Sequence, residues 1–177
     1  MGLAGRIRSV NDSDRLSKYL ARFGLEFRCS GTAGREVCGR YNVKERNMDT
    51  DWEALITAAK AVLHPRRISD FIEVGGVAAA ILTLRGNIYT GICIDSACSP
   101  GMCAERNAAA HMLTCGESAI AKIVCINRNG DFLPPCGACR EFLTELAPEN
   151  GELLFFLSGN RAVTLHGLLP ELWGRKV

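Results

Sequence analysis

A Cys-x-Glu followed some thirty residues later by Pro-Cys-x-x-Cys limits this chain more than any other feature. The residues are Cys103-Ala104-Glu105-Arg106 and Pro135-Cys136-Gly137-Ala138-Cys139. Together they offer three thiolates and one carboxylate. Three soft sulfur ligands suit zinc, and a catalytic zinc keeps its fourth position open for water. The pattern also predicts where the thiols sit. Ala104 to Leu113 reads as one helix and Cys139 to Leu146 as another, entered through Pro134-Pro135. Proline suits a helix start and not a helix interior. All three thiols then lie at or near helix N-termini, where peptide dipoles favour negative charge and lower a thiol's pKa. Three thiolates around a dication leave a net −1 site. The two helix dipoles offset part of that charge, and Arg106 offsets more if it donates to a ligand sulfur. Two other uses of these cysteines stay open at this point. One is a structural zinc site closed by a fourth thiol from Cys93, Cys98, Cys115 or Cys125. The other is a set of buried free thiols.

Cys-x-Glu with Pro-Cys-x-x-Cys is also the signature of zinc-dependent base deaminases, in which the Glu is not a ligand. In these residues the sequence resembles the cytidine deaminase family, the small nucleoside-acting branch that includes blasticidin-S deaminases. The resemblance covers roughly Asp51 to Gly174 and is most specific at Cys103–Arg106 and Pro135–Arg140. Gly86 to Gly91, Ala97-Cys98, Leu168-Leu169-Pro170 and Trp173-Gly174 support it.

The resemblance implies hydrolytic deamination of cytidine or deoxycytidine in pyrimidine salvage. It also implies one zinc ion held by Cys103, Cys136 and Cys139, with Glu105 as the proton shuttle. Bulk water is too weak a nucleophile for C4 of cytosine at neutral pH. Zinc lowers the pKa of bound water towards about 7, and one carboxylate beside it can carry protons from water to N3 and then to the leaving amine. The family further implies substrate contacts at the end of the second strand, where an Asn and a Glu hold ribose hydroxyls. Here those positions read Cys93-Ile94-Asp95. Asp95 still accepts a hydroxyl proton with one methylene less reach, while a thiol replaces a group that both donates and accepts. Cys93 reads equally as a small buried hydrophobe. The backbone near Ala104 completes the expected contacts. The family's aromatic on the first strand falls at Gly75 or Gly76. These departures keep a modified cytosine nucleoside such as blasticidin S as the alternative substrate. Trp173 matches a family aromatic that reaches a neighbouring subunit, with packing in the core or an interface as the plainer use. A homotetramer is implied, or a dimer in divergent members.

The chain has 177 residues, 47% of them hydrophobic, which suits one domain with a full core. No apolar run is long enough to span a bilayer and no signal peptide is apparent. With nine cysteines, an odd number, several at metal spacing, the reading is reduced thiols in a cytoplasmic protein. Residues 1–47 carry a net +5 and residues 48–177 a net −3. The first stretch reads as a basic, loosely ordered extension, with helical spacing at Leu16, Tyr19, Leu20 and Phe23 and a Gly-rich run over 30–34. Residues 48–177 read as the deaminase domain. A net-negative domain argues against nucleic acid as substrate, and a zinc-stapled binding protein without catalysis is the remaining rival.

The rest of the chain reads as alternating elements. Asp51 to Leu63 has an amphipathic helical spacing. Val74–Leu84 and Ile88–Ile94 form a hairpin through Arg85-Gly86-Asn87. Further strands fall at Ile120–Ile126, Leu153–Leu157 and Ala162–Leu165, with a closing helical turn at Leu168–Leu172. The order predicts a three-layer α/β/α sandwich, cytidine deaminase-like, around a five-stranded mixed sheet.

Overall fold

A computed structural model of the chain describes residues 41–42 and 48–173. The expected helix over 15–23 and the Gly-rich run over 30–34 lie outside these residues. In chain order the elements are β1 (Tyr41–Asn42), α1 (Met48–Val62), β2 (Arg66–Arg67), β3 (Ile72–Thr83), β4 (Asn87–Ser96) and α2 (Ala104–Thr114). They continue with β5 (Ile120–Asn127), α3 (Gly137–Glu145), a 3-10 turn (Pro148–Glu152), β6 (Leu154–Leu157), β7 (Arg161–Thr164) and α4 (Leu165–Leu168).

One mixed sheet runs in the order β1-β4-β3-β5-β6-β7, with β2 paired to β3. All pairs are antiparallel except β5 with β6. The five long strands are those expected, and two-residue β1 and β2 add short edges. β1 comes from the stretch read as a loose extension: Tyr41 and Asn42 pair with Ile88 and Asn87.

The strand period of two divides the core. On β3, Ala80 and Leu82 face α1, where Leu55 and Ala59 are fully buried beside Val124, Ile126 and Phe156. Ala79 and Ile81 face the opposite way, into a second cluster with Ala104, Ala108 and Met112 of α2 and Leu143 of α3. Helices thus cover both faces of the sheet, and the long apolar run of β3 is explained by burial on both sides. α2 approaches β4 so closely that a Cβ on Gly91 would lie 2.2 Å from the Ala108 backbone nitrogen. Only glycine permits that contact.

Three local expectations change. The closing helix spans Leu165–Leu168 rather than Leu168–Leu172. Pro170 biases Leu169 away from helical geometry, and Thr164 supplies the start, its hydroxyl accepting from the Gly167 N–H at 3.2 Å. α1 begins at Met48, so Asp51 lies inside it. Its carboxylate accepts from Lys122 Nζ at 2.8 Å, in a buried pair that ties α1 to β5. Cys115, at the C-cap of α2, is disulfide-bonded, whereas the cysteine pattern of the sequence predicts reduced thiols. Disulfide pairing depends on Cα separation in the fold, which spacing along the chain does not carry. Cys93, Cys98, Cys103, Cys125, Cys136 and Cys139 are free.

Candidate active site

Cys103 is the N-cap of α2 and Cys136 the N-cap of α3, both in extended backbone conformation. Cys139 follows in the first turn of α3. The loop before α2 is pinned by reciprocal backbone hydrogen bonds between Met102 and Ile94, each 2.9 Å. The loop before α3 is held by Arg140, which donates from Nε to the Pro135 carbonyl at 2.9 Å and from its terminal nitrogen to the Leu168 carbonyl at 2.8 Å. These constraints bring the three sulfurs within 4.8 Å of one another. Cys103 Sγ lies 3.6 Å from Cys136 Sγ, and Cys136 Sγ donates to Cys139 Sγ at 3.5 Å.

These separations meet the requirement of a shared metal. Tetrahedral coordination with zinc–sulfur bonds of about 2.3 Å places ligand sulfurs roughly 3.8 Å apart. Among the described residues the cluster comprises these three cysteines and no carboxylate or histidine. Cys93, Cys98 and Cys125, the free candidates for a fourth ligand, are not part of it. A second observation fits a charged cluster. The guanidinium of Arg106 lies beside Cys103 and Cys139, and its buried Nε finds no acceptor among the described residues. The guanidinium charge beside the sulfurs favours their thiolate form.

Electrostatics differ among the thiols. Burial pushes the Cys139 thiol far up, helped by the Glu105 carboxylate, and burial also raises Cys103. At Cys136 burial acts upward as well, but the hydrogen bond from the Cys139 backbone N–H and the contacts with the Cys139 and Cys103 sulfurs outweigh it, and the net shift is down.

Glu105 stands in the first turn of α2, 4% exposed and outside the sulfur cluster. Burial raises its pKa, against the opposing pull of its own backbone N–H, the Cys139 and Cys125 thiols and Arg106. Cys125, on β5, is a neighbour of Glu105 that sequence reasoning considered only as a possible ligand. Burial and the Glu105 charge push its thiol well above the ordinary range.

The cluster opens onto a cavity of roughly 650 Å³. Buried Glu105 and Ala104 line it together with Cys103 and Cys136, and so do Cys93, Gly76 and the exposed Asp95 and Arg128. Cys93 is both buried, at 7% exposure, and part of that lining. Its sulfur accepts from the Val77 N–H at 3.2 Å and its thiol donates to Asp95 Oδ2 at 3.3 Å. Asp95 is exposed at the mouth. The expected site residues Cys93, Asp95, Ala104, Glu105, Cys103 and Cys136 thus share one cavity, with Cys139 buried behind it. Trp173 stands apart. It is 81% exposed, so it is not core packing within this chain, and its backbone N–H donates to Glu141 at 3.0 Å. Arg128 was passed over in the sequence, where Asn127-Arg128-Asn129-Gly130-Asp131 reads only as a loop.

No family model matches the chain. Similar proteins include a cytidine deaminase of Halalkalibacterium halodurans, 35% identical over 98 residues that make up 53% of this chain and 74% of that one. A probable cytidine deaminase of Dictyostelium discoideum is 38% identical over 103 residues, 56% of this chain and 69% of its own. The chain belongs to the cytidine deaminase family. Solved structures agree. The cytidine deaminase of Burkholderia pseudomallei superposes with a TM-score of 0.56 at 31% identity, covering 68% of this chain and 98% of that one. The Mycobacterium tuberculosis cytidine deaminase gives 0.59 at 28% identity, covering 70% and 98%. As a cytidine deaminase family member the chain sits among hydrolases of C–N bonds, and its α/β sandwich is the fold of these neighbours.

Proposed function

We propose that this protein deaminates cytidine and deoxycytidine hydrolytically, giving uridine or deoxyuridine and ammonia, in pyrimidine salvage. The observation that carries the reading is the convergence of three thiols from two helix N-termini beside one buried carboxylate at the base of a cavity. Cys103, Cys136 and Cys139 would hold one zinc ion. That ion would supply hydroxide near neutral pH by lowering the pKa of water towards about 7.

The chain's own groups do the rest. Glu105 takes the proton of the attacking water and delivers it to N3 as the C4–O bond forms. It then carries the remaining hydroxyl proton to the exocyclic amine, the C4–N4 bond breaks, and ammonia leaves. A carboxyl whose pKa is raised by burial suits both halves of that shuttle. The backbone at Ala104 orients the base, and Asp95 with Cys93 faces the sugar. Arg106 acts on the metal through the ligand sulfurs.

Residues 48–177 form the catalytic domain in this reading and residues 1–47 an extension. The protein works as a cytoplasmic homo-oligomer, a tetramer or a dimer, with Trp173 exposed for a neighbouring subunit. No helix among the described residues is long and apolar enough to cross a membrane. A modified cytosine nucleoside such as blasticidin S is the second reading, favoured by the Cys93–Asp95 pairing at the mouth. A panel of cytidine, deoxycytidine and blasticidin S, followed by ultraviolet absorbance with the zinc-loaded protein, separates the two. Turnover of blasticidin S without turnover of cytidine reverses their order.

A further inference from the structure

Arg128 follows β5 directly, and its backbone N–H donates to the Gly76 carbonyl at 2.9 Å. That bond extends the β3–β5 ladder by one step beyond Val77 and Asn127. It also lays the Arg128 side chain across Gly76. The guanidinium nitrogens and central carbon lie 3.1, 3.8 and 3.7 Å from the point where a Cβ of residue 76 would stand. The cation therefore fills the space of the absent side chain, on the wall of the cavity that Glu105 closes at the base.

The loop that carries Arg128 is braced. The Asn127 side chain accepts from the backbone N–H of Asn129 and of Asp131, each at 2.9 Å, and donates to the Asp131 carboxylate at 3.0 Å. Gly130 closes the turn at φ +88°, with its N–H on the Asn127 carbonyl. Asp131, the nearest acid in sequence, is thus engaged by Asn127. The ion pairs between described residues join Arg67 with Asp70, Lys122 with Asp51 and His166 with Glu152, and none includes Arg128. A guanidinium on a braced loop that lines a cavity and joins no ion pair among the described residues is available to an incoming anion. Its fork of N–H donors matches a phosphate or carboxylate in two parallel bonds.

The geometry of the pyrimidine ring says which part of a ligand meets it. C4 and N1 lie opposite each other across the ring. With C4 at Glu105, at the buried base, N1 and its sugar point to the mouth, where Asp95 and Arg128 are exposed. Asp95 suits sugar hydroxyls; the charge and two-pronged donor geometry of Arg128 are matched better by an anionic group than by a neutral ribose.

We propose that Arg128 is a specificity residue that directs this site to cytosine nucleosides carrying an anionic group, phosphate or carboxylate, on the sugar. The proposal rests on the deaminase reading and narrows its substrate class. The test compares cytidine, cytidine 5′-monophosphate and the 5′-carboxylate of cytidine as substrates of the zinc-loaded wild type, Arg128→Gln, Arg128→Lys and Gly76→Ala. In Arg128→Gln the ratio of kcat/KM for either anionic substrate to that for cytidine falls about 10- to 100-fold, chiefly through KM, as expected for loss of a charge-assisted hydrogen-bond pair. Arg128→Lys keeps most of the preference. Gly76→Ala, whose added Cβ meets only the flexible end of Arg128, lowers it by displacing the guanidinium. A larger loss with the phosphate than with the carboxylate, or the reverse, identifies which anion the site is built for. A ratio unchanged in Arg128→Gln overturns the proposal. If the wild type deaminates none of the three, the deaminase reading fails instead. Calorimetric binding of cytidine 5′-monophosphate then decides the role of Arg128, with equal affinity in wild type and Arg128→Gln overturning it.

Discussion

At the base of the cavity the reactive groups come from helix starts; at its mouth they come from strand ends. Cys103, Cys136, Cys139 and Glu105 are fixed by two helix N-termini, by the Met102–Ile94 bridge and by Arg140. Each half of the set is a short motif at one helix start, and the two halves, with Cys103 and Cys136 33 residues apart, make the combination that carries the resemblance. Cys93, Asp95, Gly76 and Arg128 are neighbours only because three strands align in register. There the resemblance expects an amide, a glutamate and an aromatic where the sequence has Cys93, Asp95 and Gly75 or Gly76. The contrast is between groups set by short helix-start motifs and groups set by strand register.

The sharpest break of this contrast is at the base. Cys139→Ala removes a proposed ligand that is fully buried. Zinc measured by atomic absorption should fall below one per chain and turnover should vanish with it; full zinc content would show that the three thiols are not the metal site. Glu105→Gln should lower kcat by roughly 10²- to 10⁴-fold, the span of general acid–base catalysis, while zinc content stays at the wild-type level. Loss of both together would mean Glu105 serves the metal and not the proton.

At the mouth the effects should be smaller and should appear in KM. Asp95→Ala should raise KM for cytidine about tenfold through loss of a hydrogen bond to a charged acceptor, with kcat little changed. A fall in kcat alone would place Asp95 in the reaction instead. Cys93→Asn restores an amide facing the sugar and should lower KM for cytidine by a few fold, about the worth of one neutral hydrogen bond. An unchanged KM would assign Cys93 to packing.

The smallest effect belongs to neither end. Glu117 is buried behind β4, accepting from Asn87 at 2.6 Å and from the Tyr89 hydroxyl at 2.7 Å. Burial acts to raise its pKa, but hydrogen bonds from Thr83, Tyr89 and Asn87 outweigh it and the net shift is down. A carboxylate with a depressed folded-state pKa adds stability above its unfolded value of about 4.3, and that stability is lost as pH falls through the folded value. Glu117→Gln should therefore flatten the acid limb of thermal stability without touching KM or the zinc content.

The same distinction explains what was readable in the sequence. α1, the β3–β4 hairpin and the helices after Cys103 and Cys136 follow from apolar periodicity, from Gly86 in its turn and from proline at helix starts. The thiol cluster is legible because each of its halves is a short motif at a helix start. The closing helix is misplaced in the sequence because Pro170 ends it earlier than the Leu spacing suggests, and Cys115 because pairing of thiols is a property of the fold. Arg128 was invisible as a site residue, since its reach over Gly76 exists only once β3 and β5 are in register.

The most direct test is the absorbance change of cytidine incubated with the protein carrying one zinc per chain, run beside Glu105→Gln at equal zinc content. The account expects conversion to uridine with stoichiometric ammonia in the wild type and loss of nearly all of it in the variant. Equal conversion by both, with zinc bound in each, would contradict the role of Glu105 on which the mechanism stands.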